Sequence, residues 1–189
     1  FKMNRVPVSA VIPVKNGFEF LPSLESRIIS KLNENDEIIF IDDHSSDGTN
    51  EYLRKIAQKY PNVEVVRNAG TGLCSALNVG INIASFDFIA RFDFDDDYLD
   101  SRLDSQFIFM ESNTVAVFSD YQIIGNSKID LGTIFSPVFP LQTALSLVNS
   151  ERTAHPVALL RKESILEVGG YLEDDFPAED LSLWTRLIE

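Results

Sequence analysis

The segment Arg91-Phe92-Asp93-Phe94-Asp95-Asp96-Asp97 carries the densest chemistry in the chain. It closes an apolar run that starts at Phe86 and reads as a strand through Phe94. In extended backbone, side chains two apart share a face, with Cα atoms about 6.5 Å apart. Arg91, Asp93 and Asp95 therefore point one way, while Phe92 and Phe94 point into the core. Two carboxylates about 5 Å apart repel by roughly 3 kcal/mol at an effective dielectric near 20. Each also raises the pKa of the other. A bound divalent cation reverses that sign. Asp93 and Asp95 are spaced to share one cation, or to divide between a cation and a ribose hydroxyl. The bland alternative is a solvated acidic turn; the phenylalanine-lined strand beneath it favours the ligand site. A helix-loop-helix calcium loop is excluded. Tyr98 stands where that loop needs glycine, and Asp104 where it needs glutamate.

Three further clusters could do chemistry. Asp42-Asp43-His44-Ser45-Ser46-Asp47-Gly48-Thr49 follows the apolar run Glu37–Ile41. Acids at the carboxyl end of a parallel strand face the ligand crevice, and a carboxylate there can accept from a base N–H or a ribose hydroxyl. Asp43 is read as that ligand group and Asp47 as helix-cap chemistry. Asn68 to Gly80 contains Gly70-x-Gly72-x-x-Ser75, one residue from a dinucleotide fingerprint and weak by itself. Ala76 and Gly80 read as small residues that let a helix approach a sheet. Ala178-Glu179-Asp180-Leu181 opens a last helix after Pro177. Two readings stand for its acids: ordinary first-turn residues favoured by the helix dipole, or a general base that takes a proton from an attacking hydroxyl.

Elements of a regular rhythm must position these groups. Val8–Val14, Glu37–Ile41, Val63–Val66 and Phe86–Phe94 read as strands. Helical stripes lie between them: Tyr52, Leu53, Ile56, Ala57 and Tyr60, capped by Ser46 or Asp47, and Leu73 to Ala84. That alternation predicts an α/β fold with a mostly parallel sheet covered by helices. The second half is less regular. Leu99 to Met110 predicts a helix, Val115–Tyr121 a strand, and Gly125–Pro140 a loop with one short strand at most. Leu141–Val148 predicts a helix, Val157–Leu160 a strand, Lys162–Val168 a helix, and Leu181 to Ile188 another.

The chain has 189 residues, 44% of them hydrophobic, enough for one domain with a sizeable core. A net charge of −13 argues against nucleic acid as a partner, and it requires a bridging cation if phosphates are bound. The one cysteine, Cys74, excludes an internal disulfide framework and fits a reducing compartment. No Walker-type phosphate loop occurs. No apolar run is long enough to span a bilayer. Phe1 and Glu189, inside an apparent helix, read as boundaries within a longer protein.

Together these motifs resemble the inverting family 2 glycosyltransferases of the GT-A fold. Val11-Ile12-Pro13-Val14-Lys15-Asn16 resembles the family's first strand and turn, and Ile41 to Thr49 its base-binding loop. Gly72 to Gly80 resembles its glycine-alanine-asparagine helix start, and Ala90 to Asp96 its Asp-x-Asp segment. His155-Pro156, Arg161 to Tyr171, and Glu179-Asp180 with Trp184 resemble its acceptor half. The order and spacing of the set make the combination specific.

The resemblance implies a GT-A three-layer sandwich with a mostly parallel mixed sheet, forming one catalytic domain. Residues 1–100 would be the nucleotide-sugar half and 101–189 the acceptor half. It implies a donor that is a UDP- or GDP-type sugar, a saccharide or lipid-linked acceptor, and Mg²⁺ or Mn²⁺. Asp43 would contact the base, with Pro13 and Val14 lining that pocket and Asp42 and Gly72 nearby. Asp93 and Asp95 would serve ribose and metal, with Asp96 close to metal and sugar. Asp180, or failing it Glu179, would be the base of a single inverting displacement. The location implied is the cytoplasm or the inner face of the cell membrane, in a polysaccharide or cell-envelope pathway. Val14 and His44 depart from the family's usual residues and leave base identity open. Phe94 stands where alanine is usual and is expected to bear on the sugar pocket. A sugar-phosphate nucleotidyltransferase would need a longer, more basic glycine-rich loop after the first strand than Lys15-Asn16-Gly17. A binding module that keeps the pocket without turnover is the non-enzymatic alternative.

Overall fold

A computed structural model describes residues 5–125, 129–136 and 154–188. Six strands form one sheet: β1 (Ser9–Val14), β2 (Glu37–Asp42), β3 (Val63–Arg67), β4 (Phe88–Arg91), β5 (Ala116–Phe118) and β8 (Ala158–Arg161). Their order is β3-β2-β1-β4-β8-β5. The first four are mutually parallel; β8 runs antiparallel to both β4 and β5. β1 and β2 are buried along nearly their whole length, as expected for parallel strands covered on both faces.

Period-2 alternation divides their side chains between two cores. Ala10, Ile12, Val14, Ile38 and Phe40 join one cluster, together with Leu24 of α1 (Leu24–Arg27), Leu53 and Ile56 of α2 (Thr49–Lys59), and Leu103 of α4 (Arg102–Phe107). Val11, Ile39 and Ile41 join the other. There they meet Leu77 and Ile81 of α3 (Leu73–Ile83), Ile165 of α5 (Lys162–Glu167), and Leu183 and Trp184 of α6 (Glu179–Ile188). The result is helix, sheet, helix: the three layers expected.

Gly80 lets α3 lie close on the sheet. A Cβ there would come within 2.6 Å of Val11 Cγ1 and 2.8 Å of Ile41 Cδ1. Two buried polar side chains of α4 tie the second half together, and one of them ties it to the first. Arg102 Nη2 donates to the carbonyls of Arg91 (2.8 Å) and Ala158 (3.1 Å). Gln106 Nε2 donates to those of Val117 (2.9 Å) and Val157 (2.8 Å). Arg102 also lies over the rings of Phe92 and Tyr98. Burial lowers its pKa to about 10, which leaves it charged at neutral pH.

Several sequence expectations need correction. β4 ends at Arg91 rather than Phe94, because the chain turns at Phe94-Asp95. The helix expected over Leu99–Met110 is only α4, and Leu99 is 79% exposed. Gly125–Pro140 is not a loop at its start. β6 (Tyr121–Gly125) and β7 (Ile129–Ile134) form an antiparallel hairpin with a bulge at Ile123/Ile124. The helix expected at Leu141–Val148 lies outside the described residues. Among the described residues no helix is long and apolar enough to cross a membrane.

Candidate functional site: an acid-lined crevice at the strand ends

The strand order reverses at β1. From it the chain moves outward through β2 and β3, then returns to place β4 on the other side. Ligand crevices in α/β sheets open at the carboxyl ends of strands flanking such a switch point. Here the register sets the fork. Val14 pairs with Asp42, but the β1–β4 ladder ends at Val11 with Arg91. Pro13 and Val14 thus lie past the last β1–β4 pair, where the two strands part.

One wall is the loop after β2. Asn16 and His44 both adopt left-handed backbone, with φ of 51° and 60°. The Asn16 carbonyl oxygen Oδ1 accepts from Ser46 N (2.9 Å), and Ser45 Oγ accepts from Asn16 N (2.9 Å). The loops after β1 and β2 are thereby stitched together. Asp42, 2% exposed, is turned into this loop. Its carboxylate accepts from Ser45 N (3.1 Å) and Asn50 Nδ2 (3.0 Å). Asp47 accepts from Thr49 N (3.0 Å), Thr49 Oγ1 and Phe18 N (3.0 Å), so it is cap chemistry as expected. The N-cap position itself is Gly48, at φ 95°. Ser46 does not fill it.

Asp43 is the centre of that wall. It is 5% exposed. Its Oδ1 accepts from Asn68 Nδ2 (2.8 Å) and Gly72 N (3.0 Å), and its Oδ2 from Lys15 Nζ (3.1 Å). Burial alone would raise its pKa; the donors Asn68, Lys15 and Gly72 outweigh that and hold the carboxyl below its usual range. Gly72, at φ 90°, begins α3 and delivers its N–H to Asp43. Asn68 is held in turn by Ser75 Oγ (2.9 Å) and Gly70 N (3.2 Å), both donating to its Oδ1. His44 Nε2 contacts the Gly70 carbonyl (2.8 Å) while Arg67 donates to its Nδ1. The glycine-rich stretch is therefore a brace for Asp43 rather than a dinucleotide loop.

The β4 tip forms a second wall. Arg91 is 2% exposed and pairs with Asp93 through Nη2 (2.5 Å). Asp93 is half-buried; Asp95, Asp96 and Asp97 are exposed residues. Partial burial of its carboxyl, then the charges of Asp93 and Asp95, push the pKa of Asp96 up to about 6. Phe94 points into the core, as its alternation with Asp93 and Asp95 predicts. It is 5% exposed and lies edge-on between Phe20 and Phe40. It sits so close to Gly17 that a Cβ there would lie 2.5 Å from its ring. From α1, Arg27 Nη1 donates to the Asp96 carbonyl (2.9 Å), with Asp97 at 3.8 Å. Among the described residues, no three His, Cys, Asp or Glu side chains converge to cage an ion. The donor set at the tip is at most a pair of carboxylates. That pair fits Mg²⁺ or Mn²⁺, which keep waters and substrate phosphates as their remaining ligands.

The start of α6 forms the third wall. Glu179 is 6% exposed, and among the described residues its Oε2 has no hydrogen-bond partner. Asp180 is half-buried, and its Oδ1 accepts from Leu181 N (2.7 Å). Glu179 lies near Cys74 of α3: burial, then the charge of Glu179, raises the thiol's pKa. Tyr171 links this wall to the β4 tip. Burial raises its phenol, Arg91 opposes, and Asp180 and Glu179 add to the rise. His155 contacts the Tyr171 hydroxyl (2.6 Å) and packs on Trp184. Burial, then the nearby Arg91 charge, pushes its pKa well down, so it is a neutral core histidine.

Sequence reasoning missed Lys15, Asn68, Arg27 and Arg102 as working parts. Each acts on a residue far along the chain, and no local spacing marks such a contact. Asp43 with Gly72, and Glu179 with the Cys74 region of α3, are brought together as neighbours; Asp42 turns inward to its own loop.

Fold and crevice define a doubly wound α/β protein with acids gathered where its strand order reverses. The chain belongs to glycosyl transferase family 2, whose model matches residues 9–169. It is 33% identical over 183 residues to an uncharacterized glycosyltransferase of Rickettsia bellii. That match covers 95% of this chain and 26% of the relative's own length. Solved GT-A glycosyltransferases share the fold. The mannosyltransferase PcManGT of Pyrobaculum calidifontis, in complex with GDP-Man and Mn²⁺, superposes with a TM-score of 0.73 at 18% identity, over 98% of this chain and 53% of that one. S. aureus TarS 1-349 in complex with UDP-GlcNAc gives 0.74 at 19% identity, over 97% and 53%.

Proposed function

We propose that this chain is a single catalytic domain that moves a sugar from a nucleoside diphosphate to an acceptor hydroxyl, with inversion. What supports the proposal is that Asp43 follows β2 and Asp93 and Asp95 follow β4, at the carboxyl ends of parallel strands, and that Glu179 and Asp180 at the head of α6 act electrostatically on Tyr171, which also feels Arg91 at the end of β4. Family membership supports the reaction class. PcManGT, solved with GDP-Man and Mn²⁺, supports a nucleotide-sugar donor and a divalent ion.

In this reading residues 1–100 hold the donor, with Asp43, Pro13, Val14 and Gly72 around the base. Asp93 and Asp95 would hold Mg²⁺ or Mn²⁺, with Asp96 beside them. Such an ion supplies positive charge that offsets the departing diphosphate. Residues 101–189 contribute the acceptor side. The Asp180 carboxylate accepts the proton of the acceptor hydroxyl as its oxygen bonds to the anomeric carbon and the bond to the diphosphate breaks. One attack from the opposite face inverts that centre. Asp180 is favoured over Glu179 because it is only half-buried while Glu179 is buried.

The test uses the full-length protein. A nucleoside diphosphate should raise Tm only when Mn²⁺ or Mg²⁺ is present. Asp95→Asn should remove that rise. Asp180→Asn should keep it and lower turnover by about 10²- to 10⁴-fold. No rise with any nucleoside diphosphate, or full turnover in Asp180→Asn, overturns the reading.

A further inference from the structure

The chain itself fills most of the acceptor positions on Asp43. A carboxylate offers about four lone-pair positions, two on each oxygen. Oδ1 already accepts two donors, Asn68 Nδ2 at 2.8 Å and Gly72 N at 3.0 Å. Oδ2 accepts one, Lys15 Nζ at 3.1 Å. One position remains, on Oδ2. Beside it stands an ammonium with three donors, of which Asp43 takes one. The Lys15 side chain is 59% exposed and that of Asp43 only 7%. The cation is therefore at the rim and the carboxylate on the floor of the same spot.

We infer that this arrangement selects a uracil or thymine base and rejects guanine. The inference rests on the reading that the crevice takes a nucleoside diphosphate with its base at Asp43. Uracil and thymine present a single N–H, at N3, flanked by two carbonyl oxygens. That N–H fills the last position on Asp43 Oδ2, and a flanking carbonyl accepts from Lys15. Guanine presents two parallel N–H groups, at N1 and N2, which fit a carboxylate only when both oxygens can accept. Oδ1 has no room for the second. Asn68 cannot turn away to make room. It is 2% exposed, and its own oxygen is held by Ser75 Oγ (2.9 Å) and Gly70 N (3.2 Å). Guanine would thus leave one desolvated N–H without a partner, which weakens binding by about tenfold or more. Lys15 is a specificity-determining residue in this account: it both occupies Oδ2 and supplies the donor that an imide base needs.

The test is a calorimetric titration of the full-length protein, in the presence of Mn²⁺, with UDP, dTDP and GDP. UDP, dTDP or both should bind about tenfold tighter than GDP, or more, and the UDP and dTDP arms separate uracil from thymine. Lys15→Ala, a change at an exposed side chain, should weaken the preferred nucleotide about tenfold. It should leave GDP unchanged, since Asn68 and Gly72 still fill Oδ1, so the preference collapses because only the imide base loses a donor. GDP binding as tightly as UDP and dTDP, or a preference that survives in Lys15→Ala, overturns the base assignment while leaving the donor site intact. Absence of binding by all three overturns the donor-site reading and this inference with it.

Discussion

Replacing Asp96 with asparagine should stabilise the ligand-free protein at neutral pH and leave it unchanged in acid. Burial of its carboxyl, then the charges of Asp93 and Asp95, move its pKa from 3.8 to about 6 against the pull of Arg91 and Arg27. The folded state therefore keeps a proton that the unfolded chain releases at lower pH. Stability falls as pH rises from about 4 to about 6, and the full cost is present above that window. At face value a gap of this size is worth about 3 kcal/mol. Asp96 is an exposed residue, and solvent screening reduces the effect to about 1 kcal/mol. For a chain of this length that is about 2–4 °C in Tm. Asparagine keeps the shape and removes the charge. Melting curves of both proteins from about pH 4 to about pH 8 should show a Tm difference near zero at the acid end, growing to about 2–4 °C at the neutral end. Adding Mn²⁺ with a nucleoside diphosphate should shrink the difference, because the wild-type tip has more repulsion to relieve. A difference independent of pH, or a variant less stable than wild type near neutrality, would refute the reasoning.

Two further predictions concern scaffold rather than ligand. Gly80→Val should cost about 1–3 kcal/mol through overpacking against Val11 and Ile41, seen as a lower denaturant midpoint with an unchanged slope. A midpoint equal to wild type would mean that α3 does not need its close approach. Asp47→Ala should lower Tm, because Thr49 N, Thr49 Oγ1 and Phe18 N lose their acceptor, with nucleotide affinity unchanged in the same preparation. A loss of affinity larger than the loss of stability would move Asp47 from the scaffold to the ligand.

The two halves of the chain were legible to different degrees. β1 and β2 are apolar runs buried on both faces, so their type could be read from composition alone. The second half uses short elements whose stability comes from partners. β5 has three residues and pairs with β8, some forty positions away, so no local pattern could announce its limits. Of the local β6–β7 hairpin, the one short strand allowed within Gly125–Pro140 corresponds to β7, and β6 was missed. The acids at 93, 95 and 96 were visible as a cluster, yet the alternation that aimed them was overextended, because the strand yields to a turn at Phe94. Phe94 was read from that alternation as a core side chain, and it packs edge-on against the aromatic rings of Phe20 and Phe40.

What the sequence determined by itself is local: which runs are strands, which glycines begin helices, and where carboxylates gather. Periodicity and residue chemistry act over a few positions and need no partner to be read. Only the tertiary structure decided which acids remain open to a ligand. Asp42 and Asp43 are adjacent and chemically identical, but Asn50 and Ser45 tie the first, 2% exposed, into its own loop, while Asn68, Gly72 and Lys15 hold the second beside the exposed Lys15 rim with one lone pair to spare. A side chain's hydrogen-bonding capacity is finite, and how much of it is already used depends on groups that meet only when the chain is folded.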